Sequence, residues 1–301
     1  MSQVAVVSHD AGGAEILSSW LNHNSPNASV AVSGPAELIF SRKCPQIKFL
    51  TLNEALYKCT WLLCSIGWQS TFERFAIARG RSLGKKTVVF LDHWVNYRER
   101  FEDGYCSVLP DEIWVGDSDA ERIARSQFIE TPILLKPNPY FEDLRAEFSR
   151  VQTSEHRSAT NRVLYVCEPV ADHALRQHGD ERYWGYTEND ALSYFISNIS
   201  ALGQPISSIT IRPHPSEHPT KYNWVSSLCP YPIKFSREKK LTEEVLESEL
   251  VVGCESMAMV VGLLAGRRVI SAIPPGGRPC QLPQRDIEHL QQLIRLPYRH
   301  E

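Results

Sequence analysis

Two short stretches carry residue types suited to binding an anionic ligand. The first, ITIRPHPSE, contains Arg212, His214, Pro215 and Ser216. Arginine presents a planar fork of donors that matches phosphate. A neutral imidazole donates at one nitrogen and accepts at the other, which suits a phosphate, a ribose or a base. Pro213 and Pro215 restrict the backbone on either side of His214 and fix where its ring points. The second stretch, LVVGCESMAMVVGLLAGRRVIS, runs from an apolar segment through Gly253 into Glu255 and Ser256. A helix beginning near Ser256 would offer unpaired N–H groups and the positive end of its dipole to a phosphate. Glu255 could accept from a ribose diol. Both residues can equally be nothing more than a helix cap.

Those groups need elements to position them. Short apolar runs alternate with longer amphipathic segments, the pattern of βαβ units around a parallel sheet. Strands are expected at Val4–Ser8, Ser29–Ser33, Trp61–Ile66, Thr87–Leu91, Glu112–Val115 and Ile133–Leu135, with helices at Ala14–Asn22, Ala36–Phe40, Phe72–Arg79 and Asp119–Gln127. The pattern restarts with strands at Arg162–Cys167, Ser208–Arg212, Ile233–Phe235, Leu250–Gly253 and Arg268–Ala272. Helices are expected there at Glu188–Ile199, Thr242–Glu247 and Met257–Ala265, and the tail Arg285–Ile294 reads as helical. In such sheets ligands bind beyond the carboxyl ends of the strands, where both stretches fall.

A chain of 301 residues accommodates two domains of ordinary size. The expected division is an N-terminal Rossmann-like acceptor domain (1–140), a linker (141–161), a C-terminal Rossmann-like nucleotide domain (162–284) and a helical tail (285–301). The linker rests on two observations. KPNPY, residues 136–140, holds two prolines that forbid regular structure, and Ser149–Asn161 is polar without apolar period.

The N-terminal half has its own polar strand ends. VAVVSHDAGGAE runs from a strand into a glycine-rich turn, where Gly12 and Gly13 let the backbone approach a phosphate or a sugar. It lacks the GxGxxG spacing of a dinucleotide site. His9 and Asp10 are candidates for a general base toward an acceptor hydroxyl; the alternative is that Asp10 only caps the following helix. FLDHWVNYRERF places Asp92 and His93 at another strand end, with His93 a third candidate for catalysis. Glu168 follows the first strand of the second half.

Composition excludes several classes. With 32 basic and 35 acidic residues the net charge is -3, which argues against nucleic acid as a partner. Eight cysteines include no CxxC pair, so a zinc ribbon is not encoded, and a reducing cytoplasm is the expected compartment. Asp117-Ser118-Asp119 matches DxD in letters but reads as a helix cap. No metal is expected. No apolar run approaches the roughly 20 residues that span a bilayer, which leaves peripheral association with the inner membrane face.

The order R-x-H-P, then strand–G-x-E-S–helix, resembles bacterial GT-B-fold glycosyltransferases of surface-polysaccharide biosynthesis. These include sialyltransferases, Kdo transferases and CDP-glycerol glycerophosphotransferases. The likeness covers roughly Arg162–Ile273 by motif and the N-terminal half by architecture alone. It implies an α/β, GT-B-like fold of two Rossmann-like domains with parallel sheets facing a central cleft. It implies that His214, Pro215 and Ser256 hold a donor nucleotide, with a CMP-linked acidic sugar preferred and a glycan or glycoprotein as acceptor. No cofactor beyond the nucleotide-sugar donor is implied. A UDP-sugar 2-epimerase, a CDP-polyol phosphotransferase and a non-catalytic nucleotide-binding protein stay open as alternatives.

Overall fold

Strand β1 (Val4–Ser8) is buried at all five positions in a computed structural model of the protein. That is the signature of a parallel strand covered by helices on both faces. The structure describes residues 3–67, 70–102, 107–152, 161–236 and 238–295. After β1 come α1 (Ala11–Asn24), β2 (Ala28–Val32), α2 (Pro35–Lys43), α3 (Leu52–Lys58), β3 (Trp61–Cys64), α4 (Phe72–Ser82), β4 (Lys86–Leu91), β5 (Glu112–Val115), α5 (Ser118–Gln127), β6 (Ile133–Leu135) and α6 (Pro139–Gln152). They are followed by β7 (Arg162–Val166), α7 (Val170–His178), α8 (Glu188–Ser197), β8 (Ser208–Arg212), β9 (Ile233–Phe235), α9 (Leu241–Glu247), β10 (Leu250–Gly253), α10 (Met257–Leu264), β11 (Arg268–Ser271), β12 (Ile287–His289) and α11 (Leu290–Arg295).

The chain divides into two compact units, Met1–Asp143 and Leu144–Glu301. Unit 1 holds a six-stranded sheet in the order β2-β1-β3-β4-β5-β6, and unit 2 one in the order β12-β11-β10-β7-β8-β9. Every strand pair is parallel. In unit 1 Val4, Val6, Leu17, Phe40, Leu63 and Phe90 share one core. In unit 2 Val163, Leu192, Phe195, Ile209, Ile211 and Ile270 do the same. Each such side chain contributes roughly 1.5–3 kcal/mol through burial. Along β8 the pattern alternates: Ile209 and Ile211 enter the core, while Ser208, Thr210 and Arg212 face the other way. That second face borders a polar recess of about 280 Å³, lined by Arg162, Lys234, Ser236, Lys239 and Glu244 among others.

Three expectations are corrected. KPNPY leaves regular structure only over residues 136–138, because Pro139 opens α6. Proline is tolerated in the first turn, whose N–H groups lack helical partners anyway. Asn138 Oδ1 caps that helix, accepting from the Tyr140 and Phe141 N–H groups at 3.1 and 3.3 Å. Residues 141–152, read as linker, are therefore helical, and residues 153–160 lie outside the described residues. The tail is not one helix. Ile287–His289 adds an edge strand beside β11 before the short α11 begins. Among the described residues no helix is long and apolar enough to cross a membrane.

Candidate functional site

Strand order singles out one place in each sheet. In unit 2 the first strand, β7, lies between β8 and β10, so the chain runs outward one way through β8 and β9 and the other way through β10, β11 and β12. In unit 1 the reversal lies between β1 and β3. The crevice at such a switch point, outside the carboxyl ends of the strands, is where open α/β sheets bind ligands.

At the unit 2 switch point Glu168 follows β7, and Cys254, Glu255 and Ser256 follow β10. Glu168 Oε1 accepts the backbone N–H groups of Cys254 at 3.1 Å and Glu255 at 2.8 Å. The anion slot expected ahead of α10 therefore already holds a carboxylate of the chain. Burial pushes the Glu168 carboxyl up to about 7, and the negative charge of Glu255 adds to the shift against the lowering effect of the amide bonds. Ser256 Oγ accepts from the Ala258 N–H at 3.2 Å and caps α10. Glu255 pairs with Arg278 and accepts the Gln281 N–H at 3.0 Å. The Arg278 guanidinium lies 4.8 Å from the Trp184 ring centroid, and the Arg278 backbone N–H donates to the Trp184 carbonyl at 2.8 Å. Gly185, at φ +81°, lies so close to the Gly276 carbonyl that no side chain fits between the two loops. Segments WGY and PPGGRP thus brace Glu255.

The His-Pro turn follows β8, next to β7. The Ser216 N–H donates to His214 Nδ1 at 3.2 Å, and Ser216 Oγ lies 2.7 Å from the same nitrogen. The neutral His214 ring must then carry its proton on Nε2. Pro215 sits between the two residues of this small loop. The next dipeptide repeats it: His218 Nδ1 accepts the Thr220 N–H at 3.3 Å. Behind the turn, Glu217 Oε2 accepts the His214 N–H at 2.9 Å, while its Oε1 accepts from Lys221 Nζ and the Tyr222 hydroxyl at 2.8 and 2.7 Å. Lys221 also pairs with Glu188, whose Oε2 accepts the Ala171 N–H at the start of α7 at 2.8 Å. Arg212 departs from this group. It belongs to the other face of β8 and bonds Glu244 at 2.5 Å, Ser236 Oγ at 3.2 Å and the Lys239 carbonyl at 2.9 Å. An arginine held three ways beside the buried Glu244 is a tie between β8 and α9.

At the unit 1 switch point His9 and Asp10 follow β1. Asp10 occupies the N-cap position of α1 but makes no side-chain cap bond. Its Oδ1 lies 3.1 Å from His9 Nδ1 instead. The fully buried Glu73 of α4 accepts the His9 N–H at 2.8 Å and Ser65 Oγ at 3.2 Å, and Ser65 Oγ lies 2.7 Å from Ser8 Oγ. Burial raises the Glu73 carboxyl, and Asp10 raises it further. Gly12 and Gly13 serve close packing. A Cβ on Gly12 would overlap the Asp92 carboxylate, and one on Gly13 would overlap Ser65 Cβ. Asp92 bonds Arg100 at 2.5 Å, and Arg100 reaches the Ile66 carbonyl at 3.0 Å. His93 is held neutral, down to about 4, by burial and by Arg100. It can hydrogen-bond, but such a weak base is poorly matched to removing a hydroxyl proton near pH 7.

The structure thus brings Glu168, Glu255 and Ser256 together, sets His214 and Ser216 on the adjoining strand end, and groups His9, Asp10 and Glu73 in the other unit. Sequence reading missed Glu73, Glu188, Glu217, Lys221 and Arg278. Only Glu217 carried a local signal, a carboxylate three residues after His214. Trp68 and Gln69 lie outside the described residues, and the adjoining Ser70 Oγ accepts the Phe72 N–H at 3.0 Å. Asp117 caps α5 as expected, through Ala120 N at 2.8 Å. Among the described residues no group of three His, Cys, Asp or Glu side chains could hold a metal ion.

No protein-family model matches the sequence, and comparison with curated proteins gives no match. Solved structures do resemble it. MnaA of S. aureus, solved with UDP, aligns with TM-score 0.60 and 8% identity, covering 92% of this chain and 80% of that one. The UDP-GlcNAc 2-epimerase of Methanocaldococcus jannaschii aligns with TM-score 0.61 and 11% identity, covering 99% and 93%. A putative UDP-N-acetylglucosamine 2-epimerase of Listeria monocytogenes gives 0.61 and 10%, covering 89% and 78%. At such identities the likeness is one of fold. The fold is the GT-B-like α/β type, with two Rossmann-like units each built on a parallel sheet.

Proposed function

We propose that the chain is an enzyme acting on a nucleotide-activated sugar. In this reading unit 2 binds the nucleotide and unit 1 supplies acid–base chemistry. The observation that carries the proposal is that Glu168, His214, Glu255 and Ser256 all lie at carboxyl strand ends around the β7/β10 switch point. The His214 Nε2–H donates to a phosphate oxygen. Glu255 accepts from ribose hydroxyls, sharing its carboxylate with Arg278. Glu168 already satisfies the amides ahead of α10, so a phosphate beside it is tolerated best when its carboxyl carries a proton.

The preferred reaction is transfer to a glycan or glycoprotein acceptor. Asp10 takes the acceptor hydroxyl proton as that oxygen bonds the anomeric carbon and the nucleotide leaves with its bonding electrons. The step requires neither metal nor cofactor, since His214 and local backbone dipoles offset the developing charge. The motif resemblance favours a CMP-linked acidic sugar as donor. A second reading, UDP-sugar 2-epimerisation, is favoured by the fold shared with the two structures described as UDP-GlcNAc 2-epimerases and by the carboxylates Asp10, Glu73 and Asp92 around the unit 1 switch point.

Calorimetric titration with CMP, CDP, UMP, UDP and GDP tests the nucleotide site. The expected result is selective binding of a cytidine nucleotide, weakened at least tenfold by His214→Asn. Selective UDP binding, with exchange of the C2 proton of UDP-GlcNAc in deuterated water and no acceptor present, would establish the epimerase reading instead. Binding of none of the five refutes both.

Asp10 is tested through a neighbour. A Cβ on Gly67 would overlap the Asp10 carboxylate, whose end can swing aside. Gly67→Ala should leave nucleotide affinity within about twofold while lowering turnover on the order of 100-fold, the effect of displacing a reacting group by about 1 Å. Full turnover in that variant removes Asp10 from the chemistry.

A further inference from the structure

We propose that the recess over β8 and β9 of unit 2 is a second ligand site, one that binds the phosphate dianion of a small phosphorylated sugar or polyol. The inference goes beyond the nucleotide reading above and does not depend on it. The recess measures about 280 Å³, and the residues that line it all belong to unit 2. Three adjacent strands form its base. Arg162 opens β7 beside Ser208, which opens β8, and Thr210 stands beside Lys234 of β9. All four line the recess. Arg162 lies six residues before Glu168, roughly 20 Å along an extended strand, so the recess is set back from the switch point toward the amino ends of the strands.

Two observations set this face apart from a covered sheet face. Parallel strands with helices on both sides read as continuous apolar runs. Strands β8 and β9 alternate instead, and Ser208, Thr210 and Lys234 are less buried than the residues beside them. Helix α9 makes its main contacts with β7 and α10, which leaves a gap over β8 and β9. The second observation is charge. Glu244 is paired with Arg212, and Glu247 with Lys239. Ser236 Oγ accepts from Arg212, and Ser248 Oγ donates to the Glu244 carbonyl. The Arg162 guanidinium, the Lys234 ammonium and the hydroxyls of Ser208 and Thr210 form no side-chain hydrogen bond or ion pair among the described residues. Two uncompensated cations and two unused hydroxyls thus border one cavity.

Two cations match the charge of a phosphomonoester, which is close to −2 above its second pKa of about 6. Neighbouring strands lie about 4.8 Å apart and residues rise about 3.3 Å along them, so the Cα atoms of Arg162 and Lys234 are about 12 Å apart. Both side chains are long enough to close that span on one phosphate seated over Ser208 and Thr210. Arginine supplies a planar fork of donors and lysine a compact charge. A bare phosphate fills only part of the recess. Pockets for drug-sized molecules start at roughly 300 Å³, so a nucleotide-sugar is too large to be enclosed. A phosphorylated sugar or polyol meets both limits.

The experiment titrates glucose 6-phosphate, inorganic phosphate and glucose into the full chain by calorimetry at pH 7.5. Wild type is compared with Lys234→Gln, Arg162→Gln and His214→Asn. Lys234 and Arg162 are exposed, so their variants should unfold at the wild-type midpoint. The expected result is binding of glucose 6-phosphate with a Kd below about 1 mM. Each of the two recess variants should weaken it about fivefold or more, the loss of one charge-assisted contact. His214→Asn should bind it as wild type does, and glucose should not bind. Absence of glucose 6-phosphate binding to wild type overturns the site. So does a loss confined to His214→Asn, which places the phosphate in the crevice at the switch point. Affinity no higher than that for inorganic phosphate overturns the sugar-phosphate assignment.

Discussion

Replacing Glu168 by glutamine should flatten the pH dependence of stability. Between pH 5 and pH 8 the variant is expected to gain about 2–3 kcal/mol relative to wild type. Glu168 is partly buried between β7 and the start of α10, and its carboxyl is pushed up to about 7 from an ordinary value of 4.5. A group whose folded value is raised contributes stability that is fully present below 4.5 and is lost as pH rises through 7. Both backbone donors, from Cys254 and Glu255, go to a single oxygen, Oε1. The amide oxygen of glutamine can keep both bonds while the charge is removed. Urea unfolding at four pH values from 5 to 8 measures the difference directly. A constant difference between the two proteins would show that Glu168 ionises as easily in the fold as outside it. The same substitution tests the site, since loss of an ionisable Glu168 should ease phosphate binding at pH 8.

Gly13→Ala should cost about 2–3 kcal/mol despite the better helix propensity of alanine. In an exposed helix this change gains up to about 1 kcal/mol. Here the new methyl would occupy the space of Ser65 Cβ, an atom fixed to the backbone that cannot rotate away. Either α1 lifts from the sheet or the hydrogen bonds among Ser8, Ser65 and Glu73 break. Overpacking costs about 1–3 kcal/mol and a broken buried hydrogen bond a further 1 kcal/mol or more, so strain outweighs propensity. In a double-mutant cycle with Ser65→Gly, the pair should show a coupling above about 1 kcal/mol. A Gly13→Ala protein within about 0.5 kcal/mol of wild type would mean that α1 sits loosely at this point.

Much of the scaffold was legible because parallel strands buried on both faces read as short apolar runs. Val4–Ser8, Glu112–Val115, Ser208–Arg212, Ile233–Phe235 and Leu250–Gly253 have the bounds expected of them. Short and proline-flanked elements were not legible. Helix α3 spans seven residues and depends on a capping box between Thr51 and Glu54. Helix α7 starts directly after Pro169, and α6 starts with Pro139. The three residues of β12 are too few to show a strand period against the helical spacing around them. The strand ends were located by the same apolar runs, so Glu168, His214, Glu255, Ser256, His9 and Asp10 lie after the strands expected to precede them. What sequence could not tell was which polar group spends itself on another. Arg212 is taken by Glu244, and Gly13 by Ser65, in both cases through contacts distant along the chain. Glu73, Glu188 and Lys221 were invisible for the same reason: their partners lie in other elements.

The order of strands in unit 2 also sets the order in which it can be assembled. β7 is the first of its sheet to leave the ribosome, yet one of its two neighbours is β10, and Val163 meets Leu250 only after β8, β9 and α9 have been made. No two strands of the sheet form a hairpin, so every pairing closes a long loop, the topology of slow folding. A nascent chain ending before β10 presents the apolar edge of β7 unpaired, and that edge is a template for association with other chains. The switch point at which Glu168 meets the Cys254 and Glu255 amides is therefore among the last places in the unit to form. A ligand that needs groups from both β7 and β10 finds its complete site only once that point is closed, so any protection it gives against proteolysis during synthesis begins late.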